Sequence, residues 1–388
     1  MIENANMEDI ILRRIDLDRN LTDDEVLELI DRELQKESRT HGWSIRERDR
    51  IRQNIYNDIR ELGLLKDLLD DPDITEIMVN GIDGIFVEKK GKLSLVKENF
   101  QTREKLKKVI WQIAADCNRS VNDASPIVDA RLLDGSRVNI VLDPVALNGP
   151  ILTIRRFPKS PITLDDLLRM KSINEECSSF LKEAVVKGMN VIVSGGTGSG
   201  KTTFLNVLSG FIPESQRVIT IEDSAELQLQ GLPNLVRLET RNSNVEGCNE
   251  ITIRDLLKTS LRMRPDRIIV GEVRSKETVD MLQSINVGHS AMTTVHANSV
   301  KDVVSRLETM VLMGMEMPIP AIRGQIASGF DLMVHLGRRE DGSRSLFEVS
   351  EPIGIEEGDV IINPLFKLTS EGIKRVGEVQ REKWKNAF

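Results

Sequence analysis

The sequence predicts an α/β protein: a domain built on a mostly parallel sheet over residues 159–388, preceded by a small α+β domain at 64–158 and an N-terminal helical segment at 1–63. Three observations predict it. Beyond Pro158 and Pro161, apolar runs of strand length alternate with helical runs, the pattern of a parallel sheet covered on both faces. Between Leu64 and Phe157 the runs shorten into strands and turns around one helix. Before that, hydroxyl residues followed three positions later by Glu mark helix starts, at Thr22 with Glu25 and at Ser44 with Glu47.

Taken in order, the helix after Ser44 repeats Ile51, Ile55, Ile59 and Leu62 at helical spacing, and Gly63 is placed to end it. The rest of this segment is dense in charge of both signs, which suits a solvated helix face or a docking arm for a partner. In the α+β domain, strands are expected over 74–79, 85–87 and 93–96, with turns at Asn80-Gly81 and Lys90-Gly91-Lys92. A helix over 104–117 separates them from strands over 138–142 and 151–154. The run Phe157-Pro158-Lys159-Ser160-Pro161 fits neither helix nor central strand and reads as the linker. Ser172 with Glu175 then opens a helix running to Gly188. Four strands follow, over 191–194, 218–221, 267–270 and 291–295, with helices over 203–208, 251–264 and 276–285 between them.

At 388 residues the chain exceeds a usual single domain and can bury more than one core. Its longest apolar runs, such as Val191-Ile192-Val193 and Ile268-Ile269-Val270, fall far short of the ~20 residues a bilayer requires. The first residues are acidic rather than basic and apolar, so no secretory signal and a cytoplasmic location are expected. Cys117, Cys177 and Cys248 lie far apart with no C-x-x-C pair, which predicts free thiols and no zinc site. Lys and Arg total 53 against 61 Asp and Glu, and a net charge of -8 gains little from counterion release. No nucleic-acid partner is expected on that ground.

Gly195-Gly196-Thr197-Gly198-Ser199-Gly200-Lys201-Thr202 matches G-x-x-x-x-G-K-[ST] directly after an apolar strand and before a helix, the context that motif requires. Its glycines let backbone N–H groups turn inward around phosphate oxygens, and the helix N-terminus adds a positive dipole. The expected ATP-binding residues are Gly196, Thr197, Gly198, Ser199, Gly200, Lys201, Thr202 and Thr203. Lys201 would reach the β and γ phosphates, and the Thr202 hydroxyl would ligate Mg2+. Open parallel sheets bind ligands at the carboxyl ends of their strands, and those ends are polar here. They carry Glu222-Asp223 with Glu226 beyond, Gly271-Glu272-Val273-Arg274, and His296-Ala297-Asn298. An acid directly after an apolar strand has the form of a Walker B segment, so Glu272 is the first candidate to hold magnesium or polarise the attacking water. Glu226, Glu222 and Lys201 complete the catalytic candidates. For His289 and His296 two roles stand open, a hydrogen-bonded structural histidine and a γ-phosphate sensor. Neither reads as a metal ligand, because no other histidine or cysteine lies close in sequence.

With these motifs the sequence resembles the secretion and pilus-assembly ATPases of the type II/type IV secretion superfamily, over roughly residues 64–368. Four motifs stand in order: the phosphate loop; Val218-Ile219-Thr220-Ile221-Glu222-Asp223-Ser224-Ala225-Glu226, similar to the family's Asp box; residues 267–274, similar to its atypical Walker B with Glu in place of Asp; and residues 288–298, similar to its His box. Within that family the sequence looks most like the CpaF-like ATPases of tight-adherence (Flp-type) pili. That likeness rests on Arg131-Leu132-Leu133-Asp134-Gly135-Ser136-Arg137-Val138, Thr153-Ile154-Arg155-Arg156-Phe157, Arg237-Leu238-Glu239-Thr240-Arg241 and the charged helical extension. The four-cysteine zinc insertion of type II secretion ATPases is missing. The resemblance implies a RecA-like fold for the sheet domain, a homohexamer, and Arg155 and Arg156 completing the ATP site, although both also suit ordinary surface positions. It further implies inner-membrane pilus or secretion platform proteins as partners and a peripheral place at the cytoplasmic face of the inner membrane. Two other classes share the loop, a RecA-like nucleic-acid translocase and a nonhydrolytic regulator, and the acids Glu222, Glu226 and Glu272 speak against the second.

Overall fold

The computed structural model describes residues 23–41, 43–60, 64–89, 91–132, 134–156, 161–241 and 250–385. Contacts divide the chain into two compact units, Met1–Lys159 and Ser160–Phe388.

In the first unit, α1 (Asp23–His41) and α2 (Ile45–Arg60) bury Val26, Ile30, Leu34 and Ile55 in a small apolar cluster. The expected box at Ser44 is formed: Ser44 N donates to the Glu47 carboxylate at 2.9 Å and Glu47 N to Ser44 Oγ at 3.3 Å. The cap at Thr22, the helix end at Leu62 and Gly63, the linker residues 157–160 and Cys248 lie outside the described residues. After α3 (Leu64–Asp70) come β1 (Ile74–Asn80), β2 (Gly84–Lys89), β3 (Lys92–Leu95), α4 (Arg103–Asp116), β4 (Ile127–Arg131), β5 (Arg137–Val141) and β6 (Ile151–Arg155). The six strands form an antiparallel sheet in the order β3-β2-β1-β6-β5-β4. Alternation buries Ile77 and Val79 of β1, and a register shift between Ile74 and Glu76 accompanies the burial of Ile74; with Ile85, Leu152 and Ile154 they share a core with Leu106, Ile110 and Ile113 of α4.

The second unit runs α5 (Leu164–Arg169), α6 (Glu175–Val186), β7 (Val191–Gly195), α7 (Lys201–Ser209), β8 (Val218–Glu222), β9 (Leu235–Glu239), α8 (Ile253–Ser260) and β10 (Arg267–Val270). It continues through α9 (Glu277–Asn286), β11 (Ser290–His296), α10 (Val300–Gly314), α11 (Ile319–Gly329), β12 (Leu332–Arg338), β13 (Arg344–Glu356), β14 (Asp359–Thr369) and β15 (Gly372–Arg375). Its nine-stranded sheet has the order β15-β14-β13-β12-β7-β11-β10-β8-β9. The six strands from β12 to β9 are parallel, and β13 to β15 extend the sheet antiparallel. Both faces are covered, which is why β7, β8 and β10 are buried along their whole length. Val191 and Val193 point into a core with α6 and α7, while Ile192 between them joins the core under α8, α9, α10 and α11.

The four strands expected in this unit are present, but β9 and β12 to β15 extend the sheet beyond them. The helix expected to start from a Ser172–Glu175 box is α6, and its cap is Asn174, whose side chain accepts from Cys177 N at 2.9 Å. Ser172 Oγ instead donates to the carbonyl of Arg344 at 2.7 Å. Cys117 and Cys177 are free thiols, and burial pushes both above the ordinary thiol range. Among the described residues no helix is long and apolar enough to cross a membrane.

Candidate nucleotide site

The strand β7 lies between β11 and β12 and is buried along its length, so its carboxyl end opens within the sheet edge rather than at a corner. There the chain turns through left-handed glycines, Gly198 at φ +68 and Gly200 at φ +94, and Gly200 is the N-cap of α7. Glycine is required by space as well as by backbone. A Cβ on Gly195 would fall 2.5 Å from the backbone carbonyl oxygen of Leu336, whereas one on Gly198 would fall 2.5 Å from Arg338 Nη2, the movable end of an exposed side chain. Such a turn directs successive N–H groups into one concavity at a helix N-terminus, a ready anion site. The Ser199 hydroxyl is buried with no hydrogen-bond partner among the described residues. The cradle fits a nucleotide phosphate chain.

Lys201 opens α7 and is 7% exposed. Its ammonium donates to the carbonyls of Gly195 and Gly196, at 3.1 Å each, and stands 3.3 Å from both ring nitrogens of His296. Burial holds the Lys201 ammonium below the usual lysine range, opposed by the charge of Glu272. His296, the last residue of β11, has Nε2 at 2.9 Å from Glu272 Oε1. Burial also holds His296 below its ordinary value; Glu272 pulls the other way, and Lys201, Arg274 and Arg306 reinforce burial. Glu272 Oε1 has no hydrogen-bond partner among the described residues, so the 2.9 Å approach of His296 Nε2 is a close polar contact rather than a formed hydrogen bond. On its other oxygen Glu272 accepts from Arg274, at 2.8 Å from Nε and 2.6 Å from Nη2. Arg274 also reaches Asp223, with 3.5 Å between Nη1 and Oδ2.

The remaining candidates fall into different places. Glu222 is 2% exposed, and its Oε2 accepts from Glu226 N at 2.7 Å and Leu227 N at 2.9 Å. Its carboxylate therefore shapes the loop that carries Glu226. Glu226 is half-buried, and its charge is felt by both Glu222 and Arg274. Thr202 and Thr203 lie half-buried in the first turn of α7. Among the described residues no group of three His, Cys, Asp or Glu side chains could hold a metal by itself. Magnesium would need the nucleotide's own oxygens beside the Thr202 hydroxyl and the Glu272 carboxylate, and such hard oxygen donors suit it. His289 precedes β11, whereas His296 ends it, so the seven residues of that strand put about 20 Å between them. His289 thus lies at the end of β11 away from the phosphate loop, while His296 pairs in register with Gly195. In the first unit, Arg155 is exposed at the end of β6. Arg156 is half-buried, and its Nη1 donates to the carbonyl of Ile74 at 3.1 Å and to that of Asp71.

Two cavities flank the loop. One, of about 490 Å³, is lined by Gly196, Thr197, His296, Asn298 and Arg306 among others. The second, of about 340 Å³, is largely apolar, with Ile162, Leu167, Phe204, Leu336 and Leu346 in its walls beside Ser199, Gly200, Thr203 and Arg344. Sequence reasoning missed Arg338 and Arg344, which both donate to the Gly198 carbonyl, at 3.2 and 2.8 Å. A signal was available: Asp341-Gly342 lies between two apolar stretches, the mark of a hairpin, and Arg338 closes a strand parallel to β7.

A profile of the family described as type II/IV secretion system protein matches residues 58–344. A putative conjugal transfer protein of Mycobacterium tuberculosis is 33% identical over 303 residues, covering 76% of this chain and 86% of its own. The type IV secretion system protein VirB11 of Brucella abortus is 33% identical over 316 residues, covering 74% and 87%. Among solved structures, the pilus retraction motor PilT with bound ADP shares the fold at 16% identity, with a TM-score of 0.54 over 84% of this chain and 86% of its own.

Proposed function

Because the chain belongs to the type II/IV secretion system protein family, an ATPase superfamily, we propose that it is the ATP-hydrolysing motor of a tight-adherence pilus or a related secretion assembly. One observation carries the hydrolytic part: Lys201, His296, Glu272 and Arg274 form a single chain of contacts running from the phosphate loop to the strand-end acid. Magnesium, when bound with ATP, would neutralise phosphate charge beside the Thr202 hydroxyl and Glu272. The chain's own residues supply the rest. Lys201 exchanges the Gly195 and Gly196 carbonyls for β and γ phosphate oxygens, a stronger charge-assisted bond. That exchange also withdraws the cation from His296, which couples nucleotide arrival to the contact between His296 and Glu272. Arg274 holds one oxygen of Glu272, and the other, Oε1, faces His296 without a hydrogen bond of its own, placed to orient the attacking water. Glu226 contributes negative charge next to Arg274, on the loop that Glu222 shapes.

The pilus assignment is supported by the stretches at 131–138, 153–157 and 237–241 and by the lack of a four-cysteine insertion. A homohexamer docked on membrane platform proteins, at the cytoplasmic face of the inner membrane, belongs to the same reading. The acidic balance of the chain weighs against a nucleic-acid translocase.

Two measurements test this together: phosphate release from Mg·ATP by the purified chain, and display of surface filaments by source cells carrying Lys201→Ala. Loss of both in the variant is expected. Turnover near wild type in Lys201→Ala would sink the site assignment, and lost turnover with filaments intact would sink the pilus assignment alone.

A further inference from the structure

Two guanidinium groups converge on one carbonyl of the phosphate loop. Arg344 Nε donates to Gly198 O at 2.8 Å and Arg338 Nη2 donates to the same oxygen at 3.2 Å. The two arginines are register partners at the mouth of the β12–β13 hairpin. The hairpin beneath them is fixed by other groups. Ser172 Oγ donates to the Arg344 carbonyl at 2.7 Å, and the Arg339 guanidinium donates to Lys171 O at 3.0 Å and Ser345 Oγ at 2.9 Å. Arg338 and Arg344 are thus not needed to hold the hairpin. They place two adjacent like charges on a neutral carbonyl, with no carboxylate within ion-pair distance of either among the described residues. Both side chains are exposed and solvated, and an anion seated beside the loop would add an attraction that neither the carbonyl nor water supplies.

The position of the pair says which anion. Lys201, Glu272 and His296 mark the end of the loop that takes the β and γ phosphates. On the other flank, Ser199, Gly200 and Thr203 border the apolar cavity of about 340 Å³, and Arg344 borders it with them. With the γ end fixed by Lys201, this flank is where the α-phosphate and nucleoside must lie. The two arginines then differ. Arg338 is packed on the loop, its Nη2 only 2.5 Å from where a Gly198 Cβ would stand. Arg344 touches the loop through its donor and the cavity through its stem, with Cδ 3.5 Å from the corresponding position on Gly200.

We propose that Arg344 binds the α-phosphate of the nucleotide, trading the Gly198 carbonyl for a phosphate oxygen, while Arg338 stays on Gly198 as the residue that positions the loop. The proposal deepens the ATP-site reading above and rests on it. The trade is favourable because an anionic phosphate oxygen adds a charge–charge attraction to the guanidinium, and a bidentate geometry, that a neutral carbonyl does not offer. The α-phosphate is common to ATP and ADP, so Arg344 grips substrate and product alike and sets how firmly ADP is retained.

Displacement of a fluorescent nucleotide from the full-length chain tests this, using ATP, ADP and the two diastereomers of ADP that carry sulfur on the α-phosphate. Wild type should distinguish the diastereomers by several-fold. Arg344→Ala should weaken ATP and ADP by the same factor, about tenfold, and bring the two diastereomers to equal affinity. Arg344→Lys should recover part of the affinity but not the discrimination, since an ammonium lacks the planar fork; it also serves if the alanine variant fails to fold. Arg338→Ala should keep the discrimination while lowering affinity for every nucleotide and turnover with it. Equal binding of the diastereomers by wild type, or discrimination retained in Arg344→Ala, overturns the α-phosphate assignment. A wild-type chain that binds no ADP at all overturns the ATP-site reading instead.

Discussion

Glu272 shows what single residues decide in this protein. It is reached by Arg274 on one oxygen and by His296 on the other, and it follows the strand β10 directly. Glu272→Gln keeps its shape and removes its charge, so ATP should still bind while turnover falls by roughly 10²-fold or more. Glu226→Gln should fall similarly. Fluorescent-nucleotide binding and steady-state phosphate release on both variants are the check; wild-type turnover in both would make these acids ordinary loop residues. Glu222 gives a prediction of another kind. Burial pushes its carboxyl up to about 7, against the pull of the N–H groups of Glu226 and Leu227, from a model-peptide value of 4.5. The folded chain therefore keeps a proton that the unfolded chain has lost between those values, so this group's contribution to stability falls as pH rises through that window. Relative to wild type, Glu222→Gln should gain up to roughly 3 kcal/mol of unfolding free energy between about pH 5 and about pH 8. Urea titrations at both pH values measure it, and an unchanged difference would rule out a buried, proton-holding Glu222. Lys201 was legible from the G-x-x-x-x-G-K-[ST] spacing, and Glu272 and His296 because a polar residue following an apolar run announces a strand end. Arg338 and Arg344 were not, because their strands went unread and an arginine pair next to Asp341-Gly342 looks like solvated turn chemistry.

At the scale of elements, the turn between β7 and α7 works only with glycine at particular places. Gly198 combines φ +68 with a guanidinium where its Cβ would go. Gly198→Ala should cost about 1–3 kcal/mol in stability and displace Arg338, weakening ATP at least tenfold; a melting curve and a nucleotide titration read the two losses separately. An alanine variant with wild-type affinity would mean the loop does not need this backbone. The central parallel strands β7, β8, β10 and β11 were legible from their apolar runs, because burial on both faces leaves little polar alternation to confuse the reading. The strands β13 and β14 were hidden for the opposite reason. They carry Pro352, Gly354 and Pro364, residues that normally end strands, and the sheet absorbs them at register shifts near Ser350 and Gly354. At β9, Leu235-Val236-Arg237-Leu238-Glu239 is short and half polar, as an edge strand can be. Ser172 misled because a capping box is a local pattern, and its hydroxyl was claimed by Arg344, 172 positions away.

For the whole molecule, the family and the head-to-tail logic of ring assembly lead to a homohexamer. Light scattering on the purified chain with nucleotide should give about six times the 43.7 kDa of one chain. A monomer that hydrolyses ATP at full rate would refute the ring. The order of strands in the large sheet has a consequence for how the chain is born. β7, which ends in the phosphate loop, has β11 and β12 as its sheet neighbours, and pairs with neither the strand made just before it nor the one made just after. A ribosome that has just released Gly195 must add another ~140 residues before Arg338 emerges, roughly 7–30 s at ordinary synthesis rates. Until then the nascent loop lacks one of its two flanking strands and the arginine that braces it, and free nucleotide has no finished site on which to act as a folding ligand.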